Sequence, residues 1–222
     1  MFFEDRSDAG KRLAETIARQ SINLSGYSIV GIARGGVPVA EQITERLTLP
    51  LTAICVEERK LADGEKIVFT TSLAMDSFIF SKGRLVELSQ TALPASSASQ
   101  VEELIRTTYE KGVFYNNGEA RIGAEVMVCD DGLASGKTVV VASHALRKAG
   151  AKKVILAVPI MPPWALRDDS FVRASFEQII YWRQTTLTNP SVGIFYWKFE
   201  DTPDEFVVNS IWRNRQKVNY AP

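Results

Sequence analysis

The residues best suited to chemistry lie together between Val126 and Val140. A short apolar run ends in two adjacent carboxylates, Asp130 and Asp131, and a loop of small residues then leads into a helix-compatible segment. If a buried strand stops at these acids, both carboxylates lie at the carboxyl edge of a sheet. The backbone N–H groups of residues 134–138 can then converge on an anion at the following helix N-terminus. A phosphate on one side and two carboxylates on the other suit a phosphorylated sugar with a metal ion.

Two other interpretations of this loop stay open. The stretch Gly132-Leu-Ala-Ser-Gly-Lys-Thr resembles a nucleoside-triphosphate loop, but it has three residues rather than four before Gly-Lys-Thr. It also sets two carboxylates where a triphosphate would lie, and like charges repel at close range. An exposed acidic turn would contain Asp and Gly as well. The acid pair, the small-residue loop and Thr138 together favour the anion site.

The surrounding segments predict an α/β fold. Apolar spacing predicts helices over residues 5–20, 39–47, about 94–115, 136–149, 164–174 and 202–214. It predicts strands over 27–33, 51–57, 126–129, 154–159 and 176–182, with two or three short strands or a β-arm within 67–88. Alternating strands and helices predict an open, mostly parallel sheet flanked by helices, with right-handed crossovers.

Length and composition are consistent with one globular domain. The 222 residues predict a single domain over 1–222, with a core at about 5–182 and a small cover from segments 60–95 and 183–222. The 26 basic residues balance the 26 acidic ones, so no overall charge attracts nucleic acid. No apolar run spans a bilayer, no signal layout begins the chain, and both cysteines lie in apolar runs. A reduced, cytoplasmic location is therefore expected.

Residues 128–138, Val-Cys-Asp-Asp-Gly-Leu-Ala-Ser-Gly-Lys-Thr, resemble the phosphoribosyl-pyrophosphate (PRPP) motif of type I phosphoribosyltransferases. That motif has apolar residues, two acids, a variable pair and Ala/Asp-Thr-Gly-x-Thr, and Ser135 keeps the hydroxyl of its first threonine. Phe3-Glu-Asp-Arg-Ser-Asp-Ala-Gly and Val158-Pro-Ile-Met-Pro-Pro are similar to a little-characterised bacterial branch. The resemblance covers about residues 2–180 and, more weakly, 191–206.

The resemblance implies a pentosyl transferase of nucleotide metabolism that moves the 5-phosphoribosyl group of PRPP to a nitrogenous acceptor and releases pyrophosphate. In the family the two acids hold the ribose hydroxyls, the small-residue loop takes the 5′-phosphate, and a loop matching Arg34-Gly35-Gly36 meets the pyrophosphate. The PRPP-binding residues implied are Arg34, Gly35, Gly36, Asp130, Asp131, Gly132, Ala134, Ser135, Gly136, Lys137 and Thr138. Lys137 points either at the phosphate or at solvent, and Arg34 is otherwise a surface turn residue.

The resemblance also implies Mg²⁺, bound through substrate oxygens and possible at Asp130 and Asp131 as well. Arg59-Lys60 resembles the start of the family's mobile loop, so these two cations would close over the leaving group with residues 61–75 as a lid. Together with the two acids they form the expected catalytic set.

The acceptor is not readable from the sequence. Ala134 stands where the 6-oxopurine branch has an Asp that touches the base, which argues against hypoxanthine or guanine. No residue is evident as a general base, since His144 lies about two turns into its predicted helix, away from the loop. The alternative is therefore a regulatory protein that senses PRPP or a nucleotide and has lost the chemistry. The partners expected are PRPP, a small acceptor and, by fold analogy, a second copy in a homodimer.

Overall fold

The coordinates are a computed structural model that describes residues 2–20, 22–61, 64, 66–71, 77–81, 84–87, 95–188 and 190–218. Its strands are β1 (Tyr27–Ala33), β2 (Leu51–Lys60), β3 (Lys66–Thr71), β4 (Ser77–Ser81), β5 (Arg84–Glu87), β6 (Glu125–Cys129), β7 (Lys153–Met161) and β8 (Ile179–Gln184). They form one sheet in the order β5-β4-β3-β2-β1-β6-β7-β8. Strands β2, β1, β6, β7 and β8 are parallel, whereas β3 to β5 are antiparallel. The predicted α/β class with a mostly parallel sheet is confirmed.

Six α-helices accompany the sheet in the described part of the chain. They are α1 (Arg6–Arg19), α2 (Gly36–Leu47), α3 (Ala95–Tyr115), α4 (Lys137–Lys148), α5 (Phe171–Ser175) and α6 (Asp204–Lys217). The continuous helix predicted over 164–174 is wrong, because a 3₁₀ turn at Pro163–Leu166 and α5 are separate. The Ser170 hydroxyl accepts from the N–H groups of Val172 and Arg173 and so starts a new helix. No helix among the residues described is long and apolar enough to cross a bilayer.

The central strands are covered on both faces. Every residue of β1 is buried, as expected for a parallel sheet between two helical layers. Helices α1, α2 and α6 cover one face with side chains such as Leu13, Ile43 and Val207. Helices α4 and α5 cover the other face, for example through Leu146 and Val172.

The antiparallel strands extend the sheet beyond β2. The prediction of two or three short strands within 67–88 is confirmed by β3, β4 and β5. Helix α3 covers one face of these strands through Val101, which packs with Ile67 and Phe69. On the other face, the Phe80 ring lies 5.4 Å from the ring of Phe171. The rest of the predicted cover segment 60–95 includes residues 62–63, 65, 72–76, 82–83 and 88–94, which lie outside the described residues.

The N-terminal segment meets residues 192–200 near the carboxyl ends of β7 and β8. Phe3 forms an isolated parallel bridge with Tyr196. The N–H group of Trp197 donates to the Phe3 carbonyl over 2.9 Å. Phe3 and Tyr196 pack in one apolar cluster with Ile160 near the end of β7 and Trp182 in β8. The N-terminal segment therefore holds residues 192–204, called the tail below, against this edge of the sheet.

Candidate functional site

The ends of β1 and β6 define a crevice. The two strands are parallel neighbours, with Gly31 level with Cys129. Strand β1 continues through α2 to β2 on one side, whereas β6 continues through α4 to β7 on the other side. Ligands of open α/β sheets bind beyond the carboxyl ends of strands where such connections diverge. The loop at Arg34 and the loop at Asp130 follow these two strands.

The glycines after β1 pack directly against the two acids. A Cβ on Gly35 would collide with the Oδ2 atom of Asp131. A Cβ on Gly36 would lie 2.5 Å from the carbonyl oxygen of Cys129 and 2.9 Å from the Cα of Asp130. The Ala33–Arg34 peptide bond before them is cis. Gly35 has ordinary helical angles, φ −64° and ψ −30°, so glycine is needed here for close approach of the two loops.

Each acid has one carboxylate oxygen held by a protein donor. The N–H group of Asp131 donates to Asp130 Oδ1 over 2.9 Å, and Arg6 Nε donates to Asp131 Oδ2 over 2.8 Å. Within the residues that the structure describes, Asp130 Oδ2 and Asp131 Oδ1 accept no hydrogen bond from another residue. The pair therefore offers two free acceptor oxygens, one on each acid, which can receive two neighbouring hydroxyl groups.

Burial raises the pKa values of both carboxyl groups. It raises the pKa of Asp130 well above that of an ordinary aspartate, and the charge of Asp131 raises it further. Burial also raises the pKa of Asp131, while the charge of the Arg6 guanidinium opposes that rise. Carboxyls with shifted pKa values in a crevice are typical of functional sites, although structural ion pairs shift pKa values too.

The loop after the acids exposes a row of backbone donors. Within the described chain, the N–H groups of residues 134–138 donate to no protein acceptor. The N–H group of Leu133 instead donates to the Ile160 carbonyl over 2.9 Å, which ties the loop to β7. Gly136 has φ +75°, and α4 begins at the next residue. Free N–H groups and the positive end of the helix dipole can bind a phosphate at this position.

Three side chains of this loop carry polar groups. Ser135 is exposed and Thr138 is half-buried, and both belong to the segment that carries the free N–H groups. The Lys137 ammonium lies 5.7 Å from the centroid of the Phe80 ring in β4, within range of a cation–π contact. The Lys137 charge is therefore close to an aromatic ring. The sequence predicted that it would point either at the phosphate or at solvent, and neither alternative included this contact.

Arg34 lies beside the crevice but faces acidic residues of the tail. Its Nη1 atom is 3.6 Å from Asp204 Oδ1, and its Nη2 atom is 3.9 Å from Asp201 Oδ2. The side chain is 43% exposed and that of Asp201 is 95% exposed. Exposed ion pairs of this length contribute little stability, so a phosphate group can compete for Arg34.

Arg59 and Lys60 do not begin a loop, and that expectation is wrong. Strand β2 runs to Lys60 rather than ending at residue 57, and Arg59 pairs with Ile67 of β3. Cys55 is level with Ala33 at the end of β1. Arg59 therefore lies about 13 Å further along the strand, at roughly 3.3 Å per residue. The structure does not bring these cations to the acids.

Glu57 explains why the strand continues. Its side chain is 9% exposed, with Oε2 2.5 Å from Arg59 Nη2 and Oε1 2.5 Å from Lys111 Nζ on α3. The antiparallel ladder with β3 satisfies the backbone. Glu57 forms an ion pair with Arg59 through Oε2 and accepts a charge-assisted hydrogen bond from Lys111 through Oε1. Arg59, Lys60 and Lys111 line a cavity of about 420 Å³ between β2 and α3.

Three residues beside the acids were not identified from the sequence. Arg6 donates to Asp131, the Tyr196 hydroxyl donates to the Asp131 carbonyl over 2.5 Å, and the Phe199 ring lies 3.8 Å from the Arg6 guanidinium carbon. Arg6 belongs to the N-terminal run that resembles the bacterial branch, and Tyr196 and Phe199 fall within the weaker resemblance over 191–206. The tail residues have no motif spacing, so only the fold brings them to the site.

Comparisons with known proteins agree with this geometry. The model of the phosphoribosyl transferase domain family matches residues 4–185. Two curated proteins of Mycobacterium tuberculosis, from strains CDC 1551 and H37Rv and provisionally named phosphoribosyl transferases, are each 34% identical over 220 residues. The match covers 93% of this chain and 45% of theirs, so the chain spans about half the length of these relatives.

A solved structure shows the same fold. The TT1426 protein of Thermus thermophilus matches with a TM-score of 0.68 at 24% identity, over 96% of this chain and 99% of that one. The family match contains both loops at the crevice and the two acids. The chain therefore belongs to the phosphoribosyltransferase family.

Proposed function

We propose that the crevice between β1 and β6 binds PRPP and that the protein transfers its phosphoribosyl group to a nitrogenous acceptor. The observation that carries the proposal is the row of free N–H groups at 134–138 beside one free oxygen on each of Asp130 and Asp131, as far as the chain is described. A ribose 5-phosphate presents the complementary groups, a phosphate and two neighbouring hydroxyls. The same arrangement would suit neither a triphosphate nor a base alone, because the acids repel the first and the N–H groups need an anion.

Each loop then has one task. The acids accept the ribose hydroxyls, and the loop from Gly132 to Thr138 donates to the 5′-phosphate. Arg34 and the neighbouring glycines receive the pyrophosphate, with Arg34 leaving its weak pairs with the tail acids. Close packing of Gly35 and Gly36 against the acids supports this, since one ligand must reach both loops.

The reaction is a displacement at the anomeric carbon. The acceptor nitrogen supplies the electron pair of the new bond, and the electron pair of the breaking C–O bond leaves with pyrophosphate. Positive charge develops on the ribose ring in the transition state, and the two carboxylates beside its hydroxyls stabilise that charge. The remaining contribution of the protein is to hold the reacting groups in line.

The donor set suits Mg²⁺ bound mainly through the substrate. Among the described residues, no group of three or more His, Cys, Asp or Glu side chains is arranged to hold a metal. Asp131 already pairs with Arg6, so Asp130 is the better placed carboxylate to assist, and Mg²⁺ commonly uses one or two carboxylates with phosphate oxygens. When bound, the ion neutralises charge on the leaving pyrophosphate.

A second candidate is a protein that senses PRPP or a nucleotide without turnover. The position of Arg59 favours it, because Glu57 holds this cation in β2 instead of beside the leaving group. The predicted homodimer and the cytoplasmic location stay predictions under either function.

Calorimetry with PRPP and Mg²⁺ tests the binding claim. We expect wild-type protein to bind, Asp131→Asn to bind more weakly while remaining folded, and the exposed Asp168→Asn control to bind like wild type. A screen of nucleobases and small amines for PRPP-dependent pyrophosphate release then separates the two candidates. Release supports the transferase, whereas binding without release supports the sensor. Absence of wild-type binding at millimolar PRPP would reject the transferase and the PRPP sensor, and would leave only a nucleotide sensor.

A further inference from the structure

Arg6, at the start of α1, connects one of the two acids to the segment at Phe199 and Glu200. Its Nε atom donates to Asp131 Oδ2 over 2.8 Å, and the two side chains are only 12% and 14% exposed. Its Nη1 atom donates to the Glu200 carbonyl over 2.5 Å. The ring of Phe199 lies 3.8 Å below the guanidinium carbon. Three different contacts therefore fix the Arg6 guanidinium. Because both side chains are largely buried, salt screens the Arg6–Asp131 ion pair only weakly.

We infer that Arg6 is a positioning residue of the PRPP site, which orients the carboxylate of Asp131 toward the ribose and offsets its charge. The inference rests on the proposed function. By holding Oδ2, Arg6 fixes the plane of the carboxylate and leaves Oδ1, which no described donor contacts, as the acceptor for a ligand. A fixed acceptor loses less freedom when a hydroxyl binds, so affinity rises.

The charge of Arg6 matters because the ligand is a polyanion. Asp130 and Asp131 are adjacent, and two uncompensated carboxylates would repel each other and the phosphates of PRPP. With Arg6 in place, one of the two negative charges is paired within the protein. The acids can then accept hydrogen bonds from the ribose hydroxyls while repelling the nearby phosphate and pyrophosphate less.

A purely structural role for Arg6 is less consistent with the contacts. The backbone of Asp131 is already held by the Tyr196 hydroxyl, which donates to its carbonyl. Its neighbour Asp130 continues from β6, and the Asp130 N–H group lies 3.4 Å from the Ala157 carbonyl. Arg6 contacts the side chain of Asp131 instead, so its loss should change how that carboxylate meets a ligand.

Arg12 provides a matched control on the same helix. It pairs with Asp8 at 3.0 Å, and its guanidinium carbon lies 5.3 Å from the Trp182 ring centroid. Arg12→Met therefore removes a paired, ring-contacting guanidinium that does not touch the acids. Arg6→Met removes the corresponding group at the site, and Arg6→Lys keeps the charge without the planar fork.

The decisive experiment is a double-mutant cycle read by PRPP calorimetry in the presence of Mg²⁺. We expect Arg6→Met to weaken PRPP binding about tenfold, as for loss of a charge-assisted contact. Arg6→Lys should recover part of the lost affinity. Arg12→Met should bind within about twofold of wild type, because Arg12 shares no contact partner with Arg6. Because Arg6 acts through Asp131, Arg6→Met combined with Asp131→Asn should bind no more weakly than Asp131→Asn alone.

Each outcome decides the matter. Suppose that wild type binds PRPP. If the losses of binding free energy in Arg6→Met and Asp131→Asn add fully in the double variant, or if Arg6→Met binds like wild type, the positioning role is overturned and the proposed function stands. If wild type does not bind, the proposed function fails and takes this inference with it. Should Arg6→Met not fold, Phe199→Leu repeats the test by removing the ring under the guanidinium, with weaker binding expected and unchanged binding counting against the role.

Discussion

Gly36 lies directly against Cys129, where β1 and β6 end side by side. A Cβ on Gly36 would be 2.5 Å from the Cys129 carbonyl oxygen, and its next neighbour would be the Cα of Asp130 at 2.9 Å. Both are backbone atoms, which cannot rotate away as the end of a long side chain can. The absence of a side chain at Gly36 therefore sets how closely the two loops of the crevice approach.

Replacing Gly36 by alanine should separate these loops. We expect Gly36→Ala to lower the free energy of unfolding by about 1–3 kcal/mol, the usual cost of overpacking, and to weaken PRPP binding. Gly112→Ala is the control, because Gly112 lies within α3 and no described atom comes within 4 Å of an added Cβ. That variant should gain about 0.5–1 kcal/mol, since alanine favours helix. Urea denaturation measures both, and a Gly36→Ala protein as stable as wild type would contradict the packing argument.

Glu57 should matter far more to stability than its neighbour Glu58. Glu57→Gln leaves Arg59 and Lys111 facing each other without a carboxylate, so we expect a loss of about 1–3 kcal/mol, as for a largely buried group that loses its charge-assisted partners. Glu58 is exposed, 3.7 Å from Lys66, and Glu58→Gln should change stability by less than about 1 kcal/mol. Denaturant melts of the two variants provide the test, and equal losses would refute the proposed anchoring role.

The acid–loop motif could be predicted because its information is local. An apolar strand, two acids, small residues and a helix start are consecutive in the chain, and the fold confirms that strand β6 ends just before Asp130 and helix α4 starts at Lys137. The parallel sheet follows from the same alternation of elements. These features need no knowledge of distant contacts.

The length of β2 and the role of Arg6 could not be predicted in this way. Apolar residues end at Val56, and the strand continues only because β3 supplies a ladder and Lys111 supplies a charge from α3. Arg6 and Asp131 are 125 positions apart. No spacing rule joins residues at that separation, so the contact emerges only when the N-terminal segment and residues 192–200 pack beside β7 and β8.

Cys55 should make stability depend on alkaline pH. Burial raises the pKa of its thiol from 9.0 to about 12, and the charge of Glu57 adds to the rise. Because the folded pKa is the higher one, this contribution is intact below about pH 9 and is lost as pH rises toward 12, by at most about 1.4 kcal/mol per pH unit. Unfolding free energies at pH 8 and pH 10.5 should therefore fall more for wild type than for Cys55→Ala. Parallel decreases in the two proteins would argue against a buried, protonated thiol.

Gly136 should tolerate a side chain less well than Gly118, although both have positive φ, +75° and +72°. A Cβ on Gly136 would collide with Val172 and lie 3.1 Å from Trp164, whereas one on Gly118 would meet no described atom within 4 Å. Gly118→Ala should cost about 1–2 kcal/mol from backbone strain alone. Gly136→Ala should cost about 1–3 kcal/mol more from overpacking, and should weaken PRPP binding because the loop must shift the N–H groups of 134–138. Urea melts measure the loss of stability and calorimetry measures the loss of binding. An equal loss of unfolding free energy at both positions would mean that α5 moves to make room for the new methyl group.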